Sequence, residues 1–516
     1  MLARAHSFTI EGLQTRPVTV EVDIRRGLPA FTIVGLADAA VREARDRVRA
    51  AIQNSGYEFP SRRITANLAP GDVPKVGPGL DLALACAVLA ASEQLPPDLL
   101  PTHALFGELG LDGELRPCHG TLAIAQATHE EGLPALVLAP ARAREAALVE
   151  GLQVLPAGAL RGAARIMSGG AADPLPPPRA ARDDDQHTRA EPLHEPELAD
   201  VRGQRPALDA LLLAAAGGHN LLLSGPPGTG KTMLAQRLPG ILPPLSRAEA
   251  IEVTRIHSIT GRLRGEGLLR RRPFRAPHHT ITPAGLVGGA RRGWIGEVVL
   301  AHRGVLFLDE LSEFSRAALE ALRQPLEDGR VAIVRARHSA VYPARFALVA
   351  ATNPCPCGHL GDDTLPCRCR ETDLARHRRR LSGPLLDRID LVAHLQRPSR
   401  HELNAPPAFT SARAGELVIR ARQRQATRLR DEGVSVNADL DARLLRRHLA
   451  LSPDGERLLH AVQDRRLLST RGLHRLLRVA RTAADVEGSA RTCERHLSRA
   501  LSLRAETTMA DRRAAA

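Results

Sequence analysis

The sequence predicts a multidomain α/β protein, and three observations predict it. The chain has 516 residues, which is enough for about two to four domains with cores of their own. Up to Arg397, short apolar runs typical of buried strands alternate with stretches of helical periodicity, and beyond it only helical periodicity continues. The stretch Ser168 to Pro192 is rich in Pro, Gly and Asp and has no hydrophobic periodicity, so it predicts an extended linker.

These observations place the domain boundaries. We expect an N-terminal α/β domain, a linker, an α/β core, a C-terminal helical domain and a tail, at residues 1–167, 168–192, 193–398, 399–507 and 508–516. In the first domain, the alternating stretch Arg16–Leu36 predicts paired strands. The following stretch predicts a helix with Asp38 as N-cap and Gly56 as its stop. In the helical domain, Glu416–Asp431 and Arg457–Glu487 carry the periodicity.

Composition narrows the class of protein. No apolar run approaches the roughly 18 residues of a membrane span, and the N-terminus lacks the apolar core of a signal peptide, so we expect a cytoplasmic protein without membrane contact. Seven cysteines, four of them clustered, then favour metal binding or free thiols over disulfides. The net charge of +14 favours a polyanionic partner, with nucleic acid as the first candidate.

The stretch LLLSGPPGTGKT contains one of only two lysines among 71 basic residues. Its G-x-x-x-x-G-K-[ST] spacing is typical of a phosphate-binding loop, in which glycines let backbone N–H groups wrap the phosphates. Lys is a compact charge that fits inside this wrap, whereas the planar fork of Arg does not. A Gly-rich structural turn is the alternative, but it does not explain the retained lysine. The loop residues are Gly225, Pro226, Pro227, Gly228, Thr229, Gly230, Lys231 and Thr232.

Two further apolar strands end in polar side chains suited to nucleotide hydrolysis. GVLFL is followed by Asp309 and Glu310. Together with the Thr232 hydroxyl, Asp309 can hold Mg²⁺, and Glu310 can activate the attacking water. The second strand, FALVAAT, is followed by Asn353, a neutral group that can orient this water beside the γ-phosphate. The pattern predicts ATP and Mg²⁺ as cofactors.

Two arginines are candidates for stabilising the charge of the transition state. Arg388 follows a short predicted helix, and in a ring such an arginine reaches the γ-phosphate of the neighbouring subunit. A local salt bridge with Asp387 or Asp390 is the alternative for Arg388. Arg471 opens a C-terminal helix and can contact phosphate, although Arg475 and Arg478 on the same helix remain alternatives.

Four cysteines form a C-x-C-x9-C-x-C pattern directly after Asn353. Two close pairs separated by a short loop suit tetrahedral Zn²⁺, and free thiols or redox chemistry are the alternatives. His359 is a possible substitute ligand. The predicted ligands are Cys355, Cys357, Cys367 and Cys369, while Cys86, Cys118 and Cys493 are isolated and are expected to be small buried residues.

Several of these stretches together resemble the YifB/ComM family of Mg-chelatase-like AAA+ ATPases. The stretches are Asp200–Leu245, FRAPHHT (Phe274–Thr280), GVLFLDEL (Gly304–Leu311), ATNPCPCG (Ala351–Gly358) and SGPLLDRID (Ser382–Asp390). The resemblance implies that Lys231 and Thr232 form Walker A, and that Asp309 and Glu310 form Walker B. It also makes Asn353 sensor 1, Arg388 the arginine finger and Arg471 sensor 2. Competence members of the family are described as hexameric DNA motors that drive branch migration.

The resemblance also covers the N-terminal domain, which is similar to the proteolytic domain of Lon, an S5 domain 2-like fold. Lon-type proteases pair a Ser with a Lys from a later helix. In this sequence Gly79 stands where the serine belongs, and Leu122 stands where the lysine belongs. The resemblance therefore implies an inert scaffold or binding module and opposes an ATP-dependent protease.

A hairpin is predicted between the Walker B and sensor 1 strands. Val331–Val334 and Val341–Leu348 are expected to be strands, with Arg335–Ser339 at the turn. It resembles the pre-sensor insertion of the helicase branch of AAA+ proteins, which implies that Arg335, Arg337 and His338 contact DNA phosphates in a ring channel. A surface hairpin is the alternative, and the insertion Gly285–Glu297 is then the better candidate for gripping DNA.

The leading hypothesis is therefore an ATP-driven, hexameric ring motor that acts on single-stranded or branched DNA as a helicase or branch-migration factor. The alternative is a chelatase-type ATPase that remodels a protein partner for metal insertion into a porphyrin. That system needs a D-x-S-x-S adhesion motif, which this chain lacks but which a separate subunit can carry.

Overall fold

The computed structural model describes residues 2–177, 196–263, 265, 267–289, 295–335, 338–362, 365–380, 383–466 and 468–504. The chain divides into two compact units. The first unit contains the chain up to residue 177 together with Arg247–Leu269, and the second contains residues 196–246 and the chain from Arg270 onward.

The first unit is built on one mixed sheet covered by helices. Its strands are β1 (Leu2–Glu11), β2 (Gln14–Arg25), β3 (Ala30–Val34), β4 (Arg63–Ala69), β5 (His103–Phe106), β6 (Glu108–Leu109), β7 (Leu115–Arg116), β8 (Ala135–Leu138) and β9 (Gln153–Pro156). Its first helices are α1 (Ala39–Asn54), α2 (Asp81–Ala91), α3 (Thr121–Glu130), α4 (Pro140–Ala146) and α5 (Leu160–Met167).

The sheet of the first unit has the order β3-β4-β2-β1-β5-β8-β9. β1 and β2 form an antiparallel hairpin, and β5, β8 and β9 are parallel. Strands were predicted within Arg16–Leu36, and β2 and β3 confirm them. They do not pair with each other, however, because β4 lies between them and pairs with both.

Two local features of the first unit follow from side-chain chemistry. The Asp38 carboxylate caps α1 by accepting the N–H of Val41 at 2.9 Å, as predicted, and Gly56 follows the helix with φ +80°. The predicted linker differs at its start. The Asp173 carboxylate accepts the N–H of Gly158 at 2.8 Å and pairs with Arg165 at 2.7 Å, which holds this segment to the first unit. The linker residues from 178 onward lie outside the described residues.

The second unit begins with α6 (Arg205–Gly217), β10 (Leu221–Ser224) and α7 (Lys231–Ile241). The next helix in the chain, α8 (Arg247–Ile259), belongs to the first unit. There the Ser258 hydroxyl donates to the buried Glu145 carboxylate, and the N–H of Gly120 donates to the Ser258 carbonyl at 3.1 Å. The sequence did not predict this excursion, which places a helix that directly follows α7 in the core of the other unit.

The rest of the second unit contains the remaining core strands and the C-terminal helices. In chain order these elements are β11 (Phe274–Arg275), α9 (Pro283–Val287), α10 (Glu297–Leu300), β12 (Val305–Leu308), α11 (Arg316–Ala321), α12 (Arg323–Asp328), β13 (Arg330–Arg335), β14 (His338–Pro343), β15 (Ala347–Thr352), α13 (Glu371–Arg380), α14 (Gly383–Leu386), β16 (Leu391–His394), α15 (Arg400–Asn404), α16 (Ser411–Arg428), α17 (Ala442–His448), α18 (Pro453–Asp464), α19 (Thr470–Glu487) and α20 (Glu494–Ser502).

The core of the second unit is a parallel sheet with the order β11-β12-β15-β10-β16. Its strands β10, β12 and β15 are apolar and almost entirely buried, because helices cover both faces of such a sheet. All its neighbouring strands pair in parallel. The carboxyl ends of the strands therefore meet at one edge, which brings together the residues that follow β10, β12 and β15.

The C-terminal helices confirm the predicted helical region. α16 and α19 both pack against α6. The two helices α16 and α19 are also joined to each other, because the Asp485 carboxylate on α19 accepts two hydrogen bonds from Arg428 on α16, each 2.7 Å long. The long periodic stretch Arg457–Glu487 is divided into α18 and α19, because the Ser469 hydroxyl caps a new helix by accepting the N–H of Gly472 at 3.1 Å.

The predicted hairpin before β15 is present with shifted bounds. β13 and β14 are antiparallel, with Arg335 opposite His338 and Val334 opposite Ser339. These residues belong to the paired strands and not to the turn, and residues 336–337 lie outside the described part of the chain. The predicted second strand, Val341–Leu348, is wrong in its bounds, because β14 ends at Pro343 and β15 begins at Ala347.

Among the helices that the structure describes, none is both long and apolar enough to cross a membrane.

Candidate nucleotide-binding site

The loop between β10 and α7 has the backbone that its glycines predict. Gly228 and Gly230 have φ values of +78° and +87°, which L-residues with side chains rarely adopt. At Gly225 an added Cβ would lie 2.5 Å from the carbonyl oxygen of Leu395, so the close approach of the chain after β16 requires glycine there. The loop therefore presents bare backbone at the start of α7, which suits phosphate binding.

The Lys231 side chain lies inside this loop. Its ammonium donates to the carbonyl oxygens of Gly225 at 2.7 Å and Pro226 at 2.9 Å, and to Oδ1 of Asn353 at 3.0 Å. Burial lowers the pKa of Lys231, while the nearby charges of Asp309 and Glu310 act in the opposite direction. The Lys231 ammonium, the loop after β10 and the Asn353 side chain thus meet at one point.

The acidic pair after β12, Asp309 and Glu310, lies beside Lys231 and Thr232 at the start of α7. The Thr232 hydroxyl donates to Oδ2 of Asp309 at 2.7 Å, and Oδ1 of Asp309 accepts the N–H of Glu310 at 2.9 Å. Hydroxyl and carboxylate oxygens are the ligands that Mg²⁺ prefers. The backbone of Glu310 has φ 51° and ψ 50°, a left-handed conformation that a non-glycine residue adopts at a cost.

His279 is a site residue that the motif analysis missed. Its Nδ1 lies 3.3 Å from Oε2 of Glu310, and its ring lies 4.1 Å from that of His278 between centroids. Both histidines belong to the FRAPHHT stretch, in which they follow β11. The signal was available, since two adjacent histidines at the carboxyl end of a core strand face the same edge as the acidic pair.

The backbone of Asn353 is held in place by two hydrogen bonds to its carbonyl group. Its carbonyl oxygen accepts a hydrogen bond from Nε2 of the buried His377 at 3.0 Å and another from the Thr352 hydroxyl at 3.2 Å. His377 lies on α13, which follows the cysteine cluster in the chain. No local pattern indicates this contact, because it joins residues 24 positions apart through an irregular segment.

Arg388 lies at the opposite edge of the sheet from the phosphate loop. Its carbonyl accepts a hydrogen bond from Nδ2 of Asn220 at 2.9 Å, just before β10 begins. β10 and β16 run parallel with Leu221 opposite Leu391, so a strand of four residues, about 13 Å long, separates Arg388 from the loop after β10. This position leaves Arg388 outside the site of its own chain.

The side chain of Arg388 forms an ion pair with Glu327 on α12. Of the two carboxylates considered as local partners, Asp387 lies 3.7 Å from Arg475 and Asp390 lies 3.6 Å from His219. The pKa of Arg388 is lowered by burial and by the neighbouring charges of Arg323 and Arg471. Three guanidinium groups are therefore gathered at this edge.

The structure distinguishes Arg471 from Arg475 on α19. Arg471 is exposed in the first turn and lies in the electrostatic environment of Arg388. Arg475 is buried and donates to the carbonyl oxygens of Leu386 at 3.2 Å and Ile389 at 3.0 Å, which flank Arg388. Arg475 is thus engaged in fixing the segment that carries Arg388, while Arg471 is available to a ligand.

The four clustered cysteines come together in the structure. The distances between sulfurs are 3.4 Å for Cys355–Cys357, 3.7 Å for Cys355–Cys367 and 3.6 Å for Cys357–Cys367. All four sulfurs, including that of Cys369, lie within 4.8 Å of one another. A tetrahedron of Zn–S bonds of 2.3 Å has sulfurs about 3.8 Å apart, so the donor set fits zinc.

The cysteines of the cluster differ in their electrostatics, and burial raises the pKa of the Cys355 thiol to about 12. Backbone N–H groups lower the pKa of Cys357 to about 6, which favours the thiolate that a metal binds. The N–H of Cys357 also donates to the Cys369 sulfur at 3.4 Å, and the N–H of Leu360 donates to the Cys355 sulfur at 3.3 Å. His359 is not part of the cluster, because its Nδ1 lies 3.3 Å from Asp362.

The isolated cysteines have different surroundings. Burial raises the pKa of Cys86 and of Cys118 to about 12, as expected for inert thiols. Cys493 is only partly buried, and its sulfur lies 3.3 Å from Nδ1 of His496 at the start of α20.

The predicted DNA-contacting residues are only partly described. The backbone of Arg335 and His338 closes the described part of the β13–β14 hairpin, whereas Arg337 lies outside the described residues. Of the alternative insertion Gly285–Glu297, residues 290–294 also lie outside them.

The first unit provides a physical reason for the missing protease groups. A Cβ at Gly79 would lie 2.3 Å from Cε2 of Phe106, so this position has no room for a serine side chain. Leu122 is 1% exposed and packs in the core, where an unpaired lysine would cost free energy.

The parallel sheet and the loop after β10 define a P-loop α/β protein of the AAA+ class. Three family models match consecutive parts of the chain: Subunit ChlI of Mg-chelatase over residues 20–142, Magnesium chelatase, subunit ChlI over residues 197–403, and Magnesium chelatase, subunit ChlI C-terminal over residues 408–504.

Relatives extend this match over nearly the whole chain. An uncharacterized protein of Mycobacterium tuberculosis is 45% identical over 489 residues, which are 94% of this chain and 95% of the relative. The uncharacterized protein YifB of Escherichia coli is 43% identical, and competence protein ComM of Haemophilus influenzae is 40% identical. Each of these two alignments spans 506 residues, 98% of this chain and 97% of the relative. The chain belongs to the YifB/ComM family of Mg-chelatase-like AAA+ proteins, and this membership indicates an ATPase.

Proposed function

We propose that the protein is an ATP-hydrolysing AAA+ ring motor that acts on DNA, as a helicase or branch-migration factor in recombination or natural transformation. The observation that carries the proposal is the division of the site between two edges of one sheet. Lys231, Asn353 and the acidic pair lie at the carboxyl edge, and Arg388 lies at the amino edge. A catalytic centre of this kind is completed by the next copy of the chain.

At the carboxyl edge, the residues divide the work of nucleotide hydrolysis. The loop from Gly225 to Gly230 wraps the phosphates, and Lys231 contacts the terminal ones. Thr232 and Asp309 hold Mg²⁺, which neutralises developing charge when bound. Glu310 accepts a proton from the attacking water, and Asn353 orients that water.

At the amino edge, Arg388 and Arg471 reach the γ-phosphate held by the neighbouring subunit. Their proximity in one chain is supported by the effect of Arg471 on the pKa of Arg388. Because the guanidinium groups repel one another, a bound phosphate is a favourable counter-ion for both. The family resemblance favours a homohexamer.

DNA is proposed as the partner on two grounds. The net charge is +14, and the β13–β14 hairpin immediately precedes β15, which ends at sensor 1. In a ring whose channel this hairpin lines, Arg335, Arg337 and His338 contact DNA phosphates, and nucleotide state is transmitted from Asn353 to the hairpin. The name of the Haemophilus influenzae relative, competence protein ComM, agrees with a role in DNA uptake or recombination.

The first unit is proposed to be an inert, Lon-like scaffold or binding module and not a protease. The absence of room for a side chain at Gly79 supports this assignment. We also propose a cytoplasmic location and one Zn²⁺ held by Cys355, Cys357, Cys367 and Cys369, whose sulfur spacing fits that ion.

The chelatase-type alternative is not favoured. This chain matches YifB and ComM over 98% of its length, and it lacks the D-x-S-x-S motif of the adhesion domain that chelatase partners use. The test is the ATPase rate of the purified protein with and without single-stranded, duplex and branched DNA. Stimulation by DNA is expected, and an ATPase unaffected by any DNA would count against a DNA motor.

A further inference from the structure

The four cysteines lie in an irregular segment that touches the nucleotide site in several places. We call its described parts, residues 355–362 and 365–369, the cysteine loop. We propose that the cysteine loop is a metal-dependent support for the nucleotide pocket, so that loss of zinc weakens ATP binding even though no cysteine contacts ATP. This inference rests on the proposed nucleotide function and zinc site, and it couples zinc binding to ATP binding.

The first contact reaches the phosphate loop. A Cβ at Gly358 would lie 2.6 Å from Cδ of Pro227, so the backbone at Gly358 is packed directly against the phosphate loop. Gly358 has φ +85°, a conformation that favours glycine for a second reason. The ring of Pro227 therefore has the cysteine loop as a wall on one side.

The second contact reaches sensor 1 from both directions along the chain. Cys355 lies two residues after Asn353, so a metal bound at Cys355 fixes the backbone that leaves sensor 1. After Cys369 the chain enters α13, whose His377 donates to the Asn353 carbonyl. The Asn353 side chain in turn accepts the hydrogen bond from Lys231.

A third contact ties the loop to the strand beneath the pocket. The Asp362 carboxylate lies 3.5 Å from Nε of Arg397, shortly after β16. The same strand exit brings the Leu395 carbonyl against Gly225. The cysteine loop thus braces the phosphate loop, sensor 1 and the end of β16.

We expect the loop to depend on the ion for much of its shape. Its described residues form turns and irregular backbone without helix or strand, and its cysteines are free thiols. Zinc bound to four cysteines contributes a large free energy to the ordering of such a segment. Without it, the sulfur–sulfur contacts are too weak to offset the conformational entropy of the loop.

The test measures zinc content and nucleotide affinity separately on the full-length protein. The zinc content per chain is measured by inductively coupled plasma mass spectrometry, and the affinity for mant-ATP is measured by fluorescence titration. Cys367→Ser with Cys369→Ser should remove the zinc and raise the Kd for mant-ATP at least about tenfold, the size of effect seen when groups that orient a binding site are lost. Cys118→Ser, which removes a thiol from the first unit, should change neither.

Two further measurements keep the test decisive if the double serine variant does not fold. A chelator that strips zinc from the wild-type protein should raise the Kd to the same extent, and added zinc should restore it. His377→Leu should keep the zinc and raise the Kd about fivefold through loss of one hydrogen bond, while His377→Gln, which keeps a donor, should recover most of the affinity.

Three results would overturn the inference. Protein that loses its zinc, keeps its circular dichroism spectrum and binds mant-ATP within twofold of wild type would show that the loop does not support the pocket. Wild-type protein that contains no zinc when purified without chelators would remove the metal from the account. Zinc-loaded protein that binds no mant-ATP would instead overturn the proposed ATPase function, and this inference with it.

Discussion

The Lys231 ammonium donates a hydrogen bond to Oδ1 of Asn353 at 3.0 Å, across the boundary between the phosphate loop and sensor 1. The two residues are 122 positions apart, and they meet because β10 and β15 are parallel neighbours whose carboxyl ends coincide. The group proposed to bind the terminal phosphates therefore contacts the group proposed to orient the attacking water.

Glu310→Gln should bind ATP as the wild type does and hydrolyse it at least about a hundredfold more slowly, because an amide cannot accept the proton of the attacking water. Single-turnover hydrolysis and mant-ATP titration measure the two properties separately. Lys231→Ala is the contrasting variant, since it should lose nucleotide binding itself. Normal hydrolysis by Glu310→Gln would show that another residue is the base.

His279→Gln should lower kcat several-fold and leave the affinity for ATP unchanged. The reason is that His279 lies 3.3 Å from the Glu310 carboxylate, which we expect it to position. His278→Gln is a matched control from the same segment, because His278 bonds to Thr280 and not to Glu310. Equal effects of the two substitutions on kcat would contradict the positioning role.

Arg388→Ala should keep nucleotide binding and lose hydrolysis by about a thousandfold, the effect of removing an arginine finger. Because Arg388 lies at the far edge of the sheet from its own phosphate loop, mixing this variant with Lys231→Ala should restore part of the activity at interfaces that pair two intact halves. ATPase assays over a range of mixing ratios test this. No recovery at any ratio would contradict an arginine supplied by the neighbour.

Arg471 and Arg475 should separate catalysis from stability. Arg475→Ala should destabilise the fold by about 2 kcal/mol, because it removes a buried charged donor from two carbonyl groups. Arg471→Ala should leave thermal unfolding unchanged and reduce hydrolysis, because its side chain is exposed. The opposite pattern in thermal unfolding and ATPase assays would exchange the two assignments.

Arg335→Ala with Arg337→Ala should weaken DNA binding for all sequences and flatten the dependence of log K on log salt by about one to two counter-ions. Basal ATPase should survive, since the acidic pair and Lys231 are untouched. Titrations of DNA at several salt concentrations provide the measurement. Full DNA stimulation in the double variant would move the grip to the insertion Gly285–Glu297.

The sequence predicted those parts of the site that depend on local pattern. A glycine-rich loop after an apolar strand, an acidic pair after another and Asn353 after a third were sufficient, because parallel strands bring such ends together without further information. The C-x-C pairs likewise indicated their own cluster, and Asp38 its helix cap.

The remaining features depend on packing between distant segments. β4 separates β2 from β3, and α8 lies in the first unit although it follows α7 in the chain. No periodicity records either choice. The contact of Gly358 with Pro227 and the ion pair of Arg388 with Glu327 were missed for the same reason, since each joins an irregular segment to a residue that has no distinctive local pattern.

The central claim, that ATP hydrolysis drives movement on DNA, is tested most directly by strand displacement on a labelled branched DNA. The wild-type protein should separate the strands only with ATP and Mg²⁺. Glu310→Gln should bind the same DNA in the presence of ATP without separating it, because binding is retained while hydrolysis is lost. Strand separation by Glu310→Gln at the wild-type rate, or no separation by an actively hydrolysing wild-type protein on any branched or single-stranded-tailed substrate, would contradict the account.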